Sequence, residues 1–207
     1  DITVNASAAD VVSFDFSSIG SRSRQLFRIA PTSSPSASYS FTGTVFSGVE
    51  IEWKSGIPCS GANFFGCHQI DTDGAPFSNC SFSGSVATAD LVTSNPANVS
   101  NCTFTQGDSG GHALEITQPG TYNFVGNIFS GYGLDGTTEA AIYNNSGGHV
   151  TLNVSGGGDT PTVRNGAGAT TDVVSGAQIT VVGLAAGSQV KVTKVSDGAV
   201  LFNGPES

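Results

Sequence analysis

The stretch Ser78–Phe82 reads SNCSF, and it returns as SNCTF at Ser100–Phe104, a step of 22 residues from residue 80 to residue 102. A looser third copy, GNIFSG, occupies Gly126–Gly131, and short apolar segments at 90–93 and 113–117 precede the second and third copies. Repetition at this period, with short β-type segments and no helical stretch, is typical of a β-solenoid. A single rung cannot bury its apolar side alone, whereas rungs stacked about 4.8 Å apart can.

Residues at equivalent positions of successive rungs are expected to stack inside the coil as apolar ladders. One strand series extends from Ile70 to Asp172–Val174, and a second series carries the aromatic residues. The predicted ladder residues are Leu91, Leu114, Ile116 and Ile142 in the first series and Phe82, Phe104, Phe129 and Leu152 in the second.

The predicted fold is all-β, a right-handed parallel β-helix of about six to seven rungs over residues 41–176. Residues 1–40 are less regular and are expected to form an N-terminal cap or attachment segment. Residues 177–207 change to a strand and turn pattern with a hairpin signal at Asp197-Gly198, which predicts a small β-sandwich-like module. Its three or so strands are too few for an isolated module, so neighbouring chains or further polypeptide after Ser207 are expected to complete it.

The composition narrows the possible partners. The chain has a formal net charge of −9 and only 11% charged residues, which argues against binding nucleic acid by neutralising phosphates. No apolar run reaches the roughly 20 residues of a membrane span. Neither a nucleic acid nor a membrane is therefore expected as a partner. With 38% hydrophobic residues the composition is that of a folded protein.

The four cysteines fall into two groups. Cys59 and Cys67 enclose a loop short enough for a disulfide, and the alternative is two half-buried thiols. Cys80 and Cys102 hold the same place in adjacent repeats, which predicts a buried ladder of thiols. The spacing fits no zinc motif, and the three histidines are scattered. No metal and no cofactor are expected.

Three carboxylates keep an enzymatic alternative open. Asp71, Asp73 and Asp108 resemble the acidic pairs of polygalacturonases, which are β-helix glycosidases. Asp71, Asp90 and Glu115 lie near one strand series, which predicts an acidic row on one face of the coil. Asp71, Asp73 and Asp90 are the candidate catalytic residues. The chain lacks the Arg-Ile-Lys phrase and the long groove-forming insertions of that family. The other interpretation, solvated carboxylates on an outward face, fits these residues better, so we expect a protein without enzymatic activity.

Two further groups of polar residues have competing interpretations. Arg22, Arg24 and Arg28 form a basic cluster that could dock on an acidic partner surface during assembly or could simply be solvated. Asn79 and Asn101 lie in glycan-acceptor triplets but share one repeat position. An asparagine stack at a corner of the coil is the better interpretation of this pair, because asparagine favours turns.

A resemblance appears in the second half of the chain. The phrases at Asn127–Gly131, Ala141–Gly158 and Thr160–Gly166, followed by the segment at 179–192, resemble phage-encoded β-helix proteins of tails, fibres and capsid surfaces over residues 121–207. The resemblance implies a structural role on the virion surface, assembly as a homotrimer and contact with capsid or tail proteins. A surface glycan is a further partner consistent with it.

The open ends of a solenoid favour assembly independently. Their unpaired strand edges must be capped or covered, and a homotrimer or docking on a particle would cover them. The first hypothesis is therefore a non-enzymatic structural protein of a phage particle, as capsid decoration, fibre or spike. The alternatives are a secreted β-helix enzyme that cleaves polysaccharide and a subunit of a bacterial extracellular filament or adhesin.

Overall fold

The computed structural model of the chain describes residues 13–15, 26–29, 41–53, 57–85, 87–108, 110–176, 185–193 and 200–205. The chain forms two compact units, residues 1–176 and 177–207. In the described residues the first unit is built from short parallel strands, and its one helix is the 3₁₀ turn Pro96–Asn98. The predicted all-β parallel solenoid is confirmed, with about six turns. Strands are numbered along the chain, and the three sides of the coil are named faces A, B and C.

Face A is one continuous parallel sheet with a single short strand from each turn. Its strands, in spatial order, are β1 (Ser13–Asp15), β3 (Val45–Ser47), β6 (Asn63–Phe65), β9 (Ser81–Ser83), β12 (Thr103–Thr105) and β15 (Ile128–Ser130).

Face B begins with a two-stranded sheet and continues as a five-stranded one, both parallel. The pair is β2 (Leu26–Ile29) and β4 (Glu50–Trp53), and the longer sheet is β7 (Ile70–Asp71), β10 (Ala89–Thr93), β13 (His112–Ile116), β16 (Ile142–Asn144) and β18 (Val163–Asn165).

Face C also consists of two parallel sheets in succession. The first is β5 (Cys59–Ser60), β8 (Phe77–Ser78) and β11 (Val99–Ser100), and the second is β14 (Gly120–Val125), β17 (His149–Ser155) and β19 (Thr170–Ser175).

Asn127 joins the two sheets of face C. Its side chain is fully buried; its Oδ1 accepts a hydrogen bond from the Cys102 amide at 3.0 Å, and its Nδ2 donates to the Val99 carbonyl at 2.8 Å. The asparagine thus pairs two buried backbone groups at the point where regular strand pairing is interrupted.

The inner side of face A carries a ladder of five phenylalanine rings. Successive rings are nearly parallel, with interplanar angles of 3–11° and centroid separations of 5.1, 4.8, 4.9 and 5.4 Å. These separations match the spacing between strands, because each ring sits on the next rung. The ladder consists of Phe46, Phe64, Phe82, Phe104 and Phe129.

The predicted series on face B is confirmed from Ile70 to Ile142. Ile70, Leu91, Leu114 and Ile142 are aligned on successive strands and are fully buried, and Val163 extends the row. Ile116 is equally buried, in the next inward row of β13.

Two assignments to these series are wrong. Leu152 lies on face C, aligned with Tyr122 and Val173, and not in the phenylalanine ladder. Asp172–Val174 belong to β19 of face C and not to face B. The Leu152 error arises because one turn is longer, with 28 residues from Leu114 to Ile142, so the 22-residue repeat counted from Phe129 reaches face C. The strand that continues face B is β18, which follows Ile142 by 21 residues at Val163.

Asparagines turn the corner between faces C and A. Asn79 and Asn101 both have φ of +52°, the left-handed conformation that asparagine tolerates better than most residues. Glycine fills the equivalent corners, as Gly61 with φ of +71° and Gly126 with φ of +68°. The asparagine corner predicted for the repeat is confirmed.

Parallel pairing begins before residue 41, within the segment predicted as a cap. Strand β1 pairs with β3, and β2 pairs with β4. The solenoid therefore includes part of residues 1–40. Arg22 and Arg24 lie outside the described residues, and Arg28 is aligned with Glu52 in the β2–β4 pair.

The second unit contains an antiparallel pair of strands, β20 (Gln189–Thr193) and β21 (Val200–Pro205). The pairing has an irregular register at Val192 and Thr193. The predicted Asp197-Gly198 turn lies outside the described residues.

Candidate functional site

Asp71 and Asp73 are parts of one tight turn after β7. The Asp71 Oδ1 accepts a hydrogen bond from the Asp73 amide at 2.9 Å. The Ala75 amide donates to the Thr72 carbonyl at 2.8 Å, and the two residues between them, Asp73 and Gly74, have φ of +46° and +77°. Positive φ at both central positions defines a type I′ turn, in which Asp and Gly are favoured. Turn formation thus accounts for both carboxylates.

The same two carboxylates line a shallow groove on the outer side of face B. Its lining residues are Glu50, Ile51, Glu52, Trp53, Gln69, Asp71 and Asp73. Four of these seven side chains are carboxylates, so the groove repels an anionic polysaccharide. The structure brings Asp71 and Asp73 together, but Asp90, the third predicted catalytic residue, does not line this groove.

Asp90 is instead buried beneath the loop that follows β15. Only 6% of it is exposed, and its Oδ2 accepts a hydrogen bond from the Tyr132 hydroxyl at 3.1 Å. Burial raises the pKa of Asp90 to about 7, and hydrogen bonds from Tyr132 and Ser85 oppose that rise. The same burial and the neighbouring Asp90 charge raise the pKa of Tyr132. Sequence reasoning missed Tyr132 because it follows Asp90 by 42 residues.

A second polar cluster on face B joins three successive strands. The His112 ring stacks on Tyr143 with centroids 5.1 Å apart, and the Arg164 guanidinium lies 4.9 Å from the centre of the Tyr143 ring. The His112 Nδ1 lies 2.6 Å from the Ala140 carbonyl, which makes it the protonated nitrogen, so Nε2 accepts from Arg164 Nη1 at 3.5 Å. Burial and Arg164 lower the pKa of His112, whereas the Ala140 hydrogen bond and the nearby Glu115 raise it.

The sequence did contain a signal for part of this cluster. Glu115, Tyr143 and Arg164 are aligned on β13, β16 and β18, one position after the buried ladder residues. Asp71 and Val92 continue the same outward row on β7 and β10. The predicted acidic row on this face therefore exists at Asp71 and Glu115, while Asp90 lies outside it.

Three of the four cysteines form a buried cluster between faces C and A. The Sγ atoms of Cys59 and Cys80 are 3.7 Å apart, and Cys102 holds the position equivalent to Cys80 on the next turn. All three are at most 2% exposed. The predicted buried thiol ladder of Cys80 and Cys102 is confirmed, and Cys59, which is aligned with Phe77 and Val99 on face C, packs against Cys80.

The predicted Cys59–Cys67 disulfide is not formed, and all four cysteines are free. Cys59 lies on face C, whereas Cys67 lies at the corner between faces A and B, where its thiol donates to the Phe46 carbonyl at 3.3 Å. A short sequence separation does not bring the two together, because the chain crosses face A between them.

The outer side of face A is free of charged residues on five consecutive strands, β3, β6, β9, β12 and β15. Its outward positions form two rows parallel to the solenoid axis: Val45, Asn63, Ser81, Thr103 and Ile128 in one, and Ser47, Phe65, Ser83, Thr105 and Ser130 in the other. Phe65 is 61% exposed and Ile128 is 37% exposed. At the end of face A that begins with β1, Asp15 is in register with Ser47.

Comparison with known proteins identifies no relative: no family model, no curated protein and no solved structure matches the chain. Among the described residues, no helix has the length and apolar character to cross a membrane. The same residues contain no group of three or more His, Cys, Asp or Glu side chains arranged to hold a metal ion.

Proposed function

We propose that this chain is a non-enzymatic structural subunit of a phage particle surface, as capsid decoration, fibre or spike, and that it assembles as a homotrimer through face A. The observation that carries the proposal is the outer side of face A from β3 to β15, which has no charged residue. The phrase-level resemblance over residues 121–207 gives the particle surface as the place where such a subunit would work.

Electrostatics favour face A as the contact surface. Each chain carries a net charge of −9, so copies repel one another wherever their carboxylates face each other. Face B presents Glu50, Glu52, Asp71 and Asp73 along its groove. Face A presents hydroxyls, amides and apolar groups, so two copies can meet there without desolvating a charge.

The surface chemistry of face A also suits packing between copies. Phe65 and Ile128 expose large apolar groups that association would remove from water. A glycine with positive φ follows each of the strands β3, β6, β9 and β15. These glycines leave one border of the face without side chains, and they are Gly48, Gly66, Gly84 and Gly131. A border without side chains lets neighbouring solenoids approach closely side by side.

A matched pair of substitutions tests the proposed contact. Thr105→Asp places a charge on face A, and Thr121→Asp places the same charge at an exposed threonine of face C. If face A is the contact, Thr105→Asp converts the trimer to monomer in light scattering, and Thr121→Asp leaves the trimer intact. Equal behaviour of the two variants would refute face A as the interface.

The second candidate function is polysaccharide cleavage, which is favoured by the open groove lined by Asp71 and Asp73 and by the raised pKa of the buried Asp90. A carboxyl group with a pKa of about 7 is suited to act as a general acid. The test is release of oligosaccharides from neutral and anionic polysaccharides, compared between the native chain and Asp90→Asn. Loss of activity in the variant would support an enzyme, and absence of activity in the native chain would exclude one for those substrates.

A further inference from the structure

We infer that the buried thiol cluster is an oxidation site, in which Cys80 forms one disulfide across adjacent turns, with either Cys59 or Cys102. The inference is independent of the proposed function, since it concerns how one chain is cross-linked internally.

The geometry places Cys80 between two possible partners. Its Sγ lies 3.7 Å from the Cys59 Sγ, and Cys102 holds the equivalent position on the next turn. Cys80 and Cys102 directly precede the aligned residues Ser81 and Thr103, so their Cα atoms are about 4.8 Å apart, the spacing of neighbouring strands. That separation lies in the range that a disulfide bridges.

The surroundings make Cys80 the nucleophile of the cluster. Hydrogen bonding with the thiols of Cys102 and Cys59 lowers the pKa of Cys80, and burial opposes this effect. Burial and the contact with Cys80 raise the pKa values of Cys59 and Cys102. The thiolate is the reactive form of cysteine, so Cys80 is the first sulfur to react once an oxidant enters the cluster.

A peroxide is sufficient as the oxidant. The Cys80 thiolate attacks one peroxide oxygen, the O–O bond breaks, and the departing hydroxide takes up a proton to become water. The resulting sulfenic acid is attacked by the sulfur of Cys59 or Cys102; the S–O bond breaks, and a second water leaves with the thiol proton. Two thiols are oxidised and one peroxide is reduced to two waters.

Because Cys80 is shared, the cluster holds only one disulfide at a time, and the third thiol stays reduced. A disulfide here links consecutive turns of the solenoid and limits their separation in the unfolded chain. A protein folded in a reducing compartment and released into an oxidising one would acquire this cross-link after folding.

The ladder itself supplies conservative replacements. Ala62 occupies the position equivalent to Cys80 one turn earlier, so Cys80→Ala installs a residue that this position already accepts. Val99 occupies the position equivalent to Cys59 two strands later, which makes Cys59→Val the corresponding replacement there. Cys67→Ala serves as the control at the corner between faces A and B.

The experiment exposes the reduced, full chain to hydrogen peroxide, then alkylates it under denaturing conditions and maps the peptides by mass spectrometry. We expect one intramolecular disulfide that contains Cys80, a loss of two alkylated thiols, and an unfolding temperature raised by roughly 5–10 °C. Cys67→Ala should behave as the native chain, and Cys59→Val should redirect the bond to Cys102.

Circular dichroism first establishes that Cys80→Ala is folded, and this variant should then form no disulfide. Four alkylatable cysteines in the folded native chain after prolonged oxidation would overturn the inference. A disulfide between Cys59 and Cys102, or one that contains Cys67, would overturn it as well.

Discussion

At the residue scale, Asp90 is a buried carboxyl group whose ionisation opposes folding. The pKa of Asp90 is about 7 in the folded chain and about 3.9 in the unfolded chain. At pH values between these two, the folded chain holds a proton on Asp90 that the unfolded chain has released. Stability attributable to Asp90 therefore rises as the pH falls from about 7 to about 4. Above pH 7 the ionised, buried Asp90 lowers the free energy of unfolding by its full amount, on the order of 4 kcal/mol.

Replacing Asp90 with Asn isolates this contribution. The amide keeps an oxygen for the Tyr132 hydroxyl and removes the charge. We expect Asp90→Asn to unfold at a higher temperature than the native chain at pH 8 and at nearly the same temperature at pH 4.5. Thermal denaturation across this range is the measurement, and a variant less stable than the native chain at pH 8 would contradict the assignment.

The side chain of Asn127 connects the two sheets of face C by hydrogen bonds. Asn127→Ala leaves the Cys102 amide and the Val99 carbonyl buried without a partner, which costs about 2–4 kcal/mol. Urea unfolding measures the loss. The matched control is Asn123→Ala, which removes an exposed asparagine of β14 and should change stability by less than about 0.5 kcal/mol. Equal effects would show that the side-chain bridge is unimportant.

At the element scale, the phenylalanine ladder holds the turns in register. Phe104 is fully buried between the rings of Phe82 and Phe129, at 4.9 and 5.4 Å. Phe104→Ala should destabilise the solenoid by about 3–5 kcal/mol, because it removes an aromatic side chain and leaves a cavity. Phe129→Ala should lower the free energy of unfolding by less, because Phe129 lies at the half-buried end of the ladder. Denaturant unfolding of both variants checks this order, and the reverse order would contradict the ladder account.

The repeat predicted the inner side of the coil well, because apolar ladders impose one residue type at one position on each turn. Phe82 and Phe104 on face A and Leu91 and Leu114 on face B follow directly from the spacing of the SNCSF phrase. The repeat places Leu152 on the wrong face because a single turn, from Leu114 to Ile142, is longer than the others.

The candidate sites were harder to predict than the core. Asp90 was singled out as an acid, but its partner Tyr132 comes from a loop of a later turn, and only the fold brings them together. The stacking of His112, Tyr143 and Arg164 likewise requires the register of three strands. The turn at Asp71 and Asp73 could have been read as turn chemistry, since Asp-Gly at residues 73 and 74 is a type I′ signal.

At the scale of the whole molecule, the solenoid separates its charges by face. The groove of carboxylates lies on face B, and the described strands of face A from β3 to β15 carry no charge on their outer side. An interface built on face A contains no ion pairs, so salt should not dissociate it; salt screens the repulsion between chains of net charge −9.

The most direct test of the structural account is the mass of the native protein in solution, measured by light scattering at low salt and in 1 M salt. The account predicts a stable species of three times the 20.9 kDa chain mass in both conditions. Long polymers would favour the filament alternative. A monomer in both conditions would contradict self-assembly through face A.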